Sequence, residues 1–191
     1  MKPQGHEIMR VVAVVGMAGA GKSEAARLFE ENGFIKIRFG DVTDEEVRKQ
    51  GLELNEENER RVRELLRERY GMAAYAILNL SRIDLALKKS PVVIDGLYSW
   101  EEYTSLKNYY GKNFYVVAVW ASPKIRYARL VARAERRLTL EEAAGRDKAE
   151  IEKLNKSGPI AIADFTILNE SSLKNLEKEV KRTISALKGK D

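Results

Sequence analysis

Gly16, Gly21, Lys22 and Ser23 stand at the spacing G-x-x-x-x-G-K-[ST], the pattern of a loop that wraps phosphates. Glycines let the backbone from Gly16 through Met17, Ala18, Gly19 and Ala20 to Gly21 take a tight path, so that main-chain N–H groups approach phosphate oxygens closely. Lys22 then reaches the β and γ phosphates, and the Ser23 hydroxyl holds Mg²⁺. The helix that follows points its positive end at the same anion. This chemistry is the binding of a nucleoside triphosphate with Mg²⁺.

Two carboxylates stand where such a site uses them. Asp95 ends the apolar run Val92-Val93-Ile94, and a phosphate-loop site takes an acid at the tip of a neighbouring strand to hold the Mg²⁺ shell. Its plainer reading is a cap after a core strand. Asp41 follows the alternating run Phe34 to Phe39 and Gly40, at the edge where open parallel sheets gather their ligands. It can bind the phosphoryl acceptor, take a proton from it, or simply start the next helix.

Arg126, Arg129, Arg133 and Arg136 or Arg137 recur at steps of three and four, which puts them in one stripe along a helix. In a nucleotide site that row suits a clamp on the γ-phosphate; elsewhere it is a solvated face. Residues of about 133–150, with Arg146-Asp147, read as a lid that keeps water from competing with the acceptor. Tyr98, Trp100, Tyr103, Tyr109 and Tyr110 either stack a base or pack in the interior, and packing is the commoner use.

The elements that must hold these groups follow from patterning. Val11 to Val15 is a buried-strand run, and Glu24 to Glu30 follows with good helix formers. Phe34 to Phe39, Pro91 to Gly96, Phe114 to Trp120 and Asp164 to Leu168 read as four further strands. Residues of about 41–90 are helical throughout: a capping box of Thr43 with Glu46 opens one helix, Asn55 a second carrying Val62, Leu65, Leu66 and Tyr70, and Met72 to Lys89 continues with Ile77, Leu80, Ile83 and Leu87 on one face. Ser122-Pro123 starts another helix, and Thr139 with Glu142 opens one running to about Lys156. Leu173, Leu176, Val180, Ile184 and Leu187 mark the closing helix. Alternation of strands and helices means an α/β fold, a parallel sheet with right-handed crossovers and helices on both faces.

Composition removes several function classes. The chain has 191 residues and no cysteine, and its one histidine is His6, which reads as a surface or tail residue. A thiolate metal site is thereby excluded, and a zinc enzyme or a Ser-His-Asp hydrolase disfavoured. Net charge is +5 with pI near 9.3, yet acidic residues are spread among the basic ones and no tract of five basic residues occurs, which argues against nucleic acid as a partner. No apolar run is long enough to span a bilayer, and the N-terminal residues lack a signal peptide's apolar stretch, so a cytoplasmic location and no membrane partner are expected. A charged fraction of 33% with glutamine only at Gln4 and Gln50 is compatible with a hot-growing source.

Gly16 to Ser23, Gly40-Asp41, Val93-Ile94-Asp95-Gly96, the Arg126 to Arg137 row and the segment from Ala163-Asp164 to Asn169 together resemble the nucleoside monophosphate kinase and dephospho-CoA kinase group. More closely, nearly the whole chain is similar to an archaeal family of nucleotide-kinase-like proteins related to adenylate and CMP kinases. The resemblance implies one P-loop kinase-like domain over residues 1–191: a five-stranded parallel sheet in the order 2-3-1-4-5, a helical acceptor-binding insertion and an arginine-bearing lid. Carried over by position, Lys22 and Ser23 serve ATP and Mg²⁺, Asp95 the metal shell, Arg129 and Arg133 the transferring phosphate, and Ala163 and Asp164 the adenine edge.

Two departures shape the acceptor. Where adenylate kinases have T-G-D-x-x-R, this chain has Phe39-Gly40-Asp41-Val42-Thr43-Asp44, with an acid in place of the phosphate-binding arginine; where they have D-G-x-P-R, it has Asp95-Gly96-Leu97-Tyr98-Ser99. A simple AMP kinase is therefore disfavoured. The expectation is an ATP- and Mg²⁺-dependent phosphotransferase acting on a nucleoside monophosphate or a dephospho-CoA-like molecule, with Asp41 as base for a hydroxyl acceptor. Its rival is a regulatory protein that binds ATP or GTP without transfer. A GTPase is disfavoured because Asn155-Lys156-Ser157-Gly158 has glycine where N-K-x-D needs aspartate. Monomer or homodimer stays open.

Overall fold

The computed structural model describes residues 10–134 and 137–189; His6 and Arg136 lie outside them. The strands β1 (Val11–Val15), β2 (Ile35–Arg38), β3 (Val92–Asp95), β4 (Phe114–Trp120) and β5 (Phe165–Leu168) form one sheet in the order β2-β3-β1-β4-β5. Every pairing is parallel, with Val14 opposite Asp95 and Val15 opposite Ala118. The expected order is thus the observed one.

β1 is buried along its whole length, because successive residues face different layers. Val11, Ala13 and Val15 face α2 (Asp41–Lys49), α3 (Glu56–Tyr70), α4 (Ala74–Leu87) and α5 (Trp100–Tyr110), whereas Val12 and Val14 face α1 (Lys22–Glu31) and α9 (Leu173–Lys188). A strand covered on both faces has no reason to alternate, which is why it reads as a continuous apolar run. A smaller cluster of Ala18, Leu130 and Ala143 seats α6 (Pro123–Val131) and α7 (Leu140–Glu152) against the loop after β1.

The helical insertion opens differently from expectation. α2 starts at Asp41, with Gly40 before it, and Thr43 lies inside its first turn. Thr43 cannot cap the helix because its buried hydroxyl shares a 2.5 Å hydrogen bond with Tyr75 of α4. Tyr75→Phe is expected to cost about 1 kcal/mol, read as a lower urea midpoint at unchanged slope.

Val62, Leu66 and Ile83 are buried as expected, but Leu65, Tyr70 and Ile77 are exposed. The Asn55 cap and the Thr139–Glu142 capping box are present. The helix begun there stops at Glu152 rather than near Lys156. Asn155 takes a left-handed φ of 48°, the Lys156 N–H turns back to the Glu150 carbonyl, and a short helix α8 (Ser157–Ala161) begins. Among the described residues no helix is long and apolar enough to cross a membrane.

Candidate functional site

β1 ends at the sheet's carboxyl edge and passes into the glycine loop. Gly16 (φ 148°) and Gly21 (φ 101°) adopt backbone conformations that side chains resist, and space is closed as well. A Cβ on Gly16 would lie 2.3 Å from the Val119 carbonyl oxygen, and one on Gly21 2.3 Å from Asn169 Nδ2. The loop's carbonyls are taken from behind: Arg126 Nη1 donates to Ala18, Asn169 Nδ2 to Ala20, and Arg129 Nη1 makes a longer 3.5 Å contact with Gly19. Inside the loop, Lys22 Nζ donates to the Met17 carbonyl at 3.0 Å. Ser23 Oγ donates to Asp95 Oδ1 at 3.5 Å, so the two residues expected at the metal come together from α1 and β3.

A cavity of about 220 Å³ has Arg38, Arg63, Arg67, Tyr75, Tyr98 and Glu150 in its walls, and of these Glu150 is within electrostatic reach of Lys22. Arg38 is paired with Asp41 and Asp44, and Arg63 with Glu56 and Glu59. Arg67 makes no contact-distance ion pair among the described residues, though Glu102 is within its electrostatic reach; its guanidinium lies 5.7 Å from the centroid of the Tyr75 ring. Glu150 accepts from Lys156 Nζ at 2.7 Å and from Arg146 Nε at 3.2 Å.

A sequence family described as an AAA domain matches residues 12–153. A UPF0200 protein of Thermococcus gammatolerans is 36% identical over 181 residues, covering 93% of this chain and 95% of its own. The chain belongs to the UPF0200 family. Among solved structures, a gluconokinase from Sinorhizobium meliloti superposes with a TM-score of 0.62 at 15% identity, covering 96% of both chains. A dephospho-CoA kinase from Campylobacter jejuni gives 0.56 at 14%, covering 94% of this chain and 97% of its own. At such identities the likeness is one of fold, and that fold is the P-loop kinase fold.

Within this UPF0200 protein several expected positions fall elsewhere. Asp164 lies just before β5, away from the loop, where its Oδ2 accepts from the Val116 N–H, and Ala163 packs against the core on the α2 to α5 face. The residue that does reach the loop from this strand is Asn169, just past its far end. Arg129 donates to backbone carbonyls, those of Gly19 and Asn169. Arg126 is buried in a bidentate pair with Asp147, and Arg133 is exposed beyond the last turn of α6. Asp41 starts α2 and holds Arg38; Asp44, not Asp41, lines the cavity. Trp100 packs on Tyr103, and Tyr103 on Phe114.

Sequence reasoning missed Arg38, Arg63, Arg67, Glu150 and Lys156. Arg63 and Arg67 are four apart on one helix, a spacing that places them on one face, and that was the available signal. Burial and then the nearby Lys156 ammonium push Lys22 down to about 7. Lys156 is itself lowered by burial, against the pull of Glu150. Burial raises the Glu150 carboxyl, but Lys156 outweighs it and holds the group below its ordinary range. Burial, with Asp95 and Glu150 adding to it, pushes the Tyr98 hydroxyl up to about 12, so it remains a donor at neutral pH.

Among the described residues no three His, Cys, Asp or Glu side chains converge on a metal position. Ser23 and Asp95 instead offer one hydroxyl and one carboxylate. That donor set fits Mg²⁺, which takes one or two protein oxygens and completes its shell with phosphate and water.

Proposed function

We propose that the protein is an ATP- and Mg²⁺-dependent phosphotransferase that moves a terminal phosphoryl group onto a small anionic acceptor, of nucleoside monophosphate or dephospho-CoA-like kind. The observation that carries this reading is that Glu150 lines the arginine-rich cavity and, with its partners Lys156 and Arg146, is within electrostatic reach of Lys22. Acceptor and phosphate sites so joined suit in-line transfer, where catalysis is positioning and charge neutralisation.

In this reading the loop amides and Lys22 hold the polyphosphate, and Ser23 and Asp95 hold Mg²⁺, which neutralises charge on the β and γ oxygens when bound. Arg67 and Arg63 seat the acceptor's anionic group, and Asp41 positions Arg38 for the same task. Arg133 and the segment of about 133–150 cover the transferring group and exclude water. Arg38, Arg63 and Arg67 in the cavity walls favour transfer over the regulatory alternative, which binds ATP or GTP without it.

Purified protein incubated with radiolabelled ATP, Mg²⁺, nucleoside monophosphates and dephospho-CoA should yield a labelled product. Tight ATP binding with no product would sink the reading. With an acceptor so identified, Arg67→Met is expected to raise its KM by roughly tenfold to a hundredfold while ATP affinity holds, since a hydrogen bond to a charged group is worth about 1.5–3 kcal/mol. An unchanged KM would exclude Arg67 from the acceptor site.

A further inference from the structure

Glu150 is placed unlike the other carboxylates of the cavity. Asp44 and Glu59 stand on the α2 and α3 side, each beside its arginine. Glu150 comes from α7, on the side of the phosphate loop, and is within electrostatic reach of Lys22. Its Oε2 is fixed by Lys156 at 2.7 Å and its Oε1 by Arg146 at 3.2 Å. A carboxylate oxygen has two lone pairs, so each keeps one acceptor position.

The support behind Glu150 is rigid. Lys156 is 1% exposed, its ammonium 5.0 Å from the centroid of the Tyr98 ring. The α8 turn that carries it is held to α5 so closely that a Cβ on Gly158 would lie 2.7 Å from Trp100 Cε3. Such a carboxylate is aimed, and it is anionic.

Resting on the transfer reading above, we propose that Glu150 is the catalytic residue that orients and deprotonates the acceptor, and that the acceptor's attacking group is a hydroxyl on a molecule whose separate anionic group binds Arg67 and Arg63. A hydroxyl donates a hydrogen bond to Glu150 and gives it the proton as the bond from acceptor oxygen to γ-phosphorus forms. The bond from γ-phosphorus to the β–γ bridging oxygen breaks, and its electron pair leaves with the nucleoside diphosphate. A phosphate monoester attacking through its own oxygen carries no proton to give, and it would set two anions face to face. The cavity therefore selects formation of a phosphate ester over a phosphoanhydride.

The test uses the full chain with Mg²⁺ and ATP, water occupying the acceptor's place in one arm. The other arms hold AMP, CMP, ribose 5-phosphate, gluconate and dephospho-CoA, with ³¹P NMR to identify the product. An ester from a hydroxyl compound, or hydrolysis alone, is expected from the wild type. Glu150→Gln should lower kcat by about a hundredfold with KM and the Kd for a non-hydrolysable ATP analogue within about threefold. Glu150→Gln/Lys156→Met removes both charges together and gives the same loss if the single variant folds poorly.

Full kcat in both variants overturns the assignment, as does a phosphoanhydride product or an equal loss of analogue binding. A wild type that turns over ATP in no arm sinks the transfer reading itself, which separates the two failures.

Discussion

Lys22→Met is expected to make the ligand-free protein more stable while weakening its affinity for ATP by roughly tenfold to a hundredfold. Burial, and then Lys156, bring the Lys22 ammonium from 10.5 to about 7. Between about pH 7 and 10.5 the unfolded chain holds a proton that the native one has released, so stability rises with pH across that window. Below about pH 7 both states are protonated, and the native state carries the full cost of a buried ammonium, on the order of a few kcal/mol. Methionine has no charge to bury. Its gain in melting temperature should be largest at or below pH 7 and fade towards pH 10.5.

The same lysine explains the affinity loss and supplies a second readout. A polyphosphate beside Lys22 favours the ammonium, so binding at pH 8 takes up a proton that binding at pH 6 does not. Calorimetry in buffers of different ionisation enthalpy reads that uptake directly. No uptake at pH 8, or a variant less stable at pH 6, would refute this account of Lys22.

Arg126→Met should unfold the protein more easily than any other single change around the loop. The buried guanidinium gives Nη1 and Nη2 to Asp147 at 2.8 and 2.6 Å, and Nη1 and Nε to the Ala18 and Ala121 carbonyls at 3.0 Å. Removing one member of a buried pair leaves the other charge uncompensated, at a cost of about 3–5 kcal/mol. For a chain of this length that lowers melting on the order of 10 °C. Adding Asp147→Asn removes the stranded charge and should recover part of the loss, so the two substitutions are far from additive. A cost below about 1 kcal/mol would mean that water competes freely for the pair.

How far the residues announced their arrangement depends on the range of the interaction. The phosphate loop was legible because it is local: its glycines are adjacent to the strand and helix they join. The strands of the sheet interior were legible because burial on both faces leaves only apolar β-branched residues, as in Val92-Val93-Ile94. The arginine row was visible as a stripe, yet periodicity says nothing about what a stripe faces, and Arg126 and Arg129 turned to backbone carbonyls.

Asp164 shows the same limit. Patterning makes it the first residue of a strand and the resemblance places it at the adenine edge, but it stands before Phe165, at the end of β5 away from the ligand edge. Arg38, Arg63 and Arg67 come from β2 and α3 and meet only once those elements pack. Glu150 and Lys156 were hidden by chemistry, since a buried ion pair looks in sequence like two surface charges.

A trans peptide unit carries its carbonyl and its N–H on opposite sides. With the carbonyls of Ala18, Gly19 and Ala20 drawn outward by Arg126, Arg129 and Asn169, the amide hydrogens of Gly19 and Gly21 are turned the other way, into the bowl, while that of Ala20 donates to the Met17 carbonyl at 3.2 Å. Those three side chains stand 108, 110 and 149 residues further along the chain. The electrical sense of the bowl is thus dictated at a distance. A fragment ending at Trp120 would keep every glycine of the motif, Lys22 and the start of α1, but would lose the three side chains that turn those carbonyls outward.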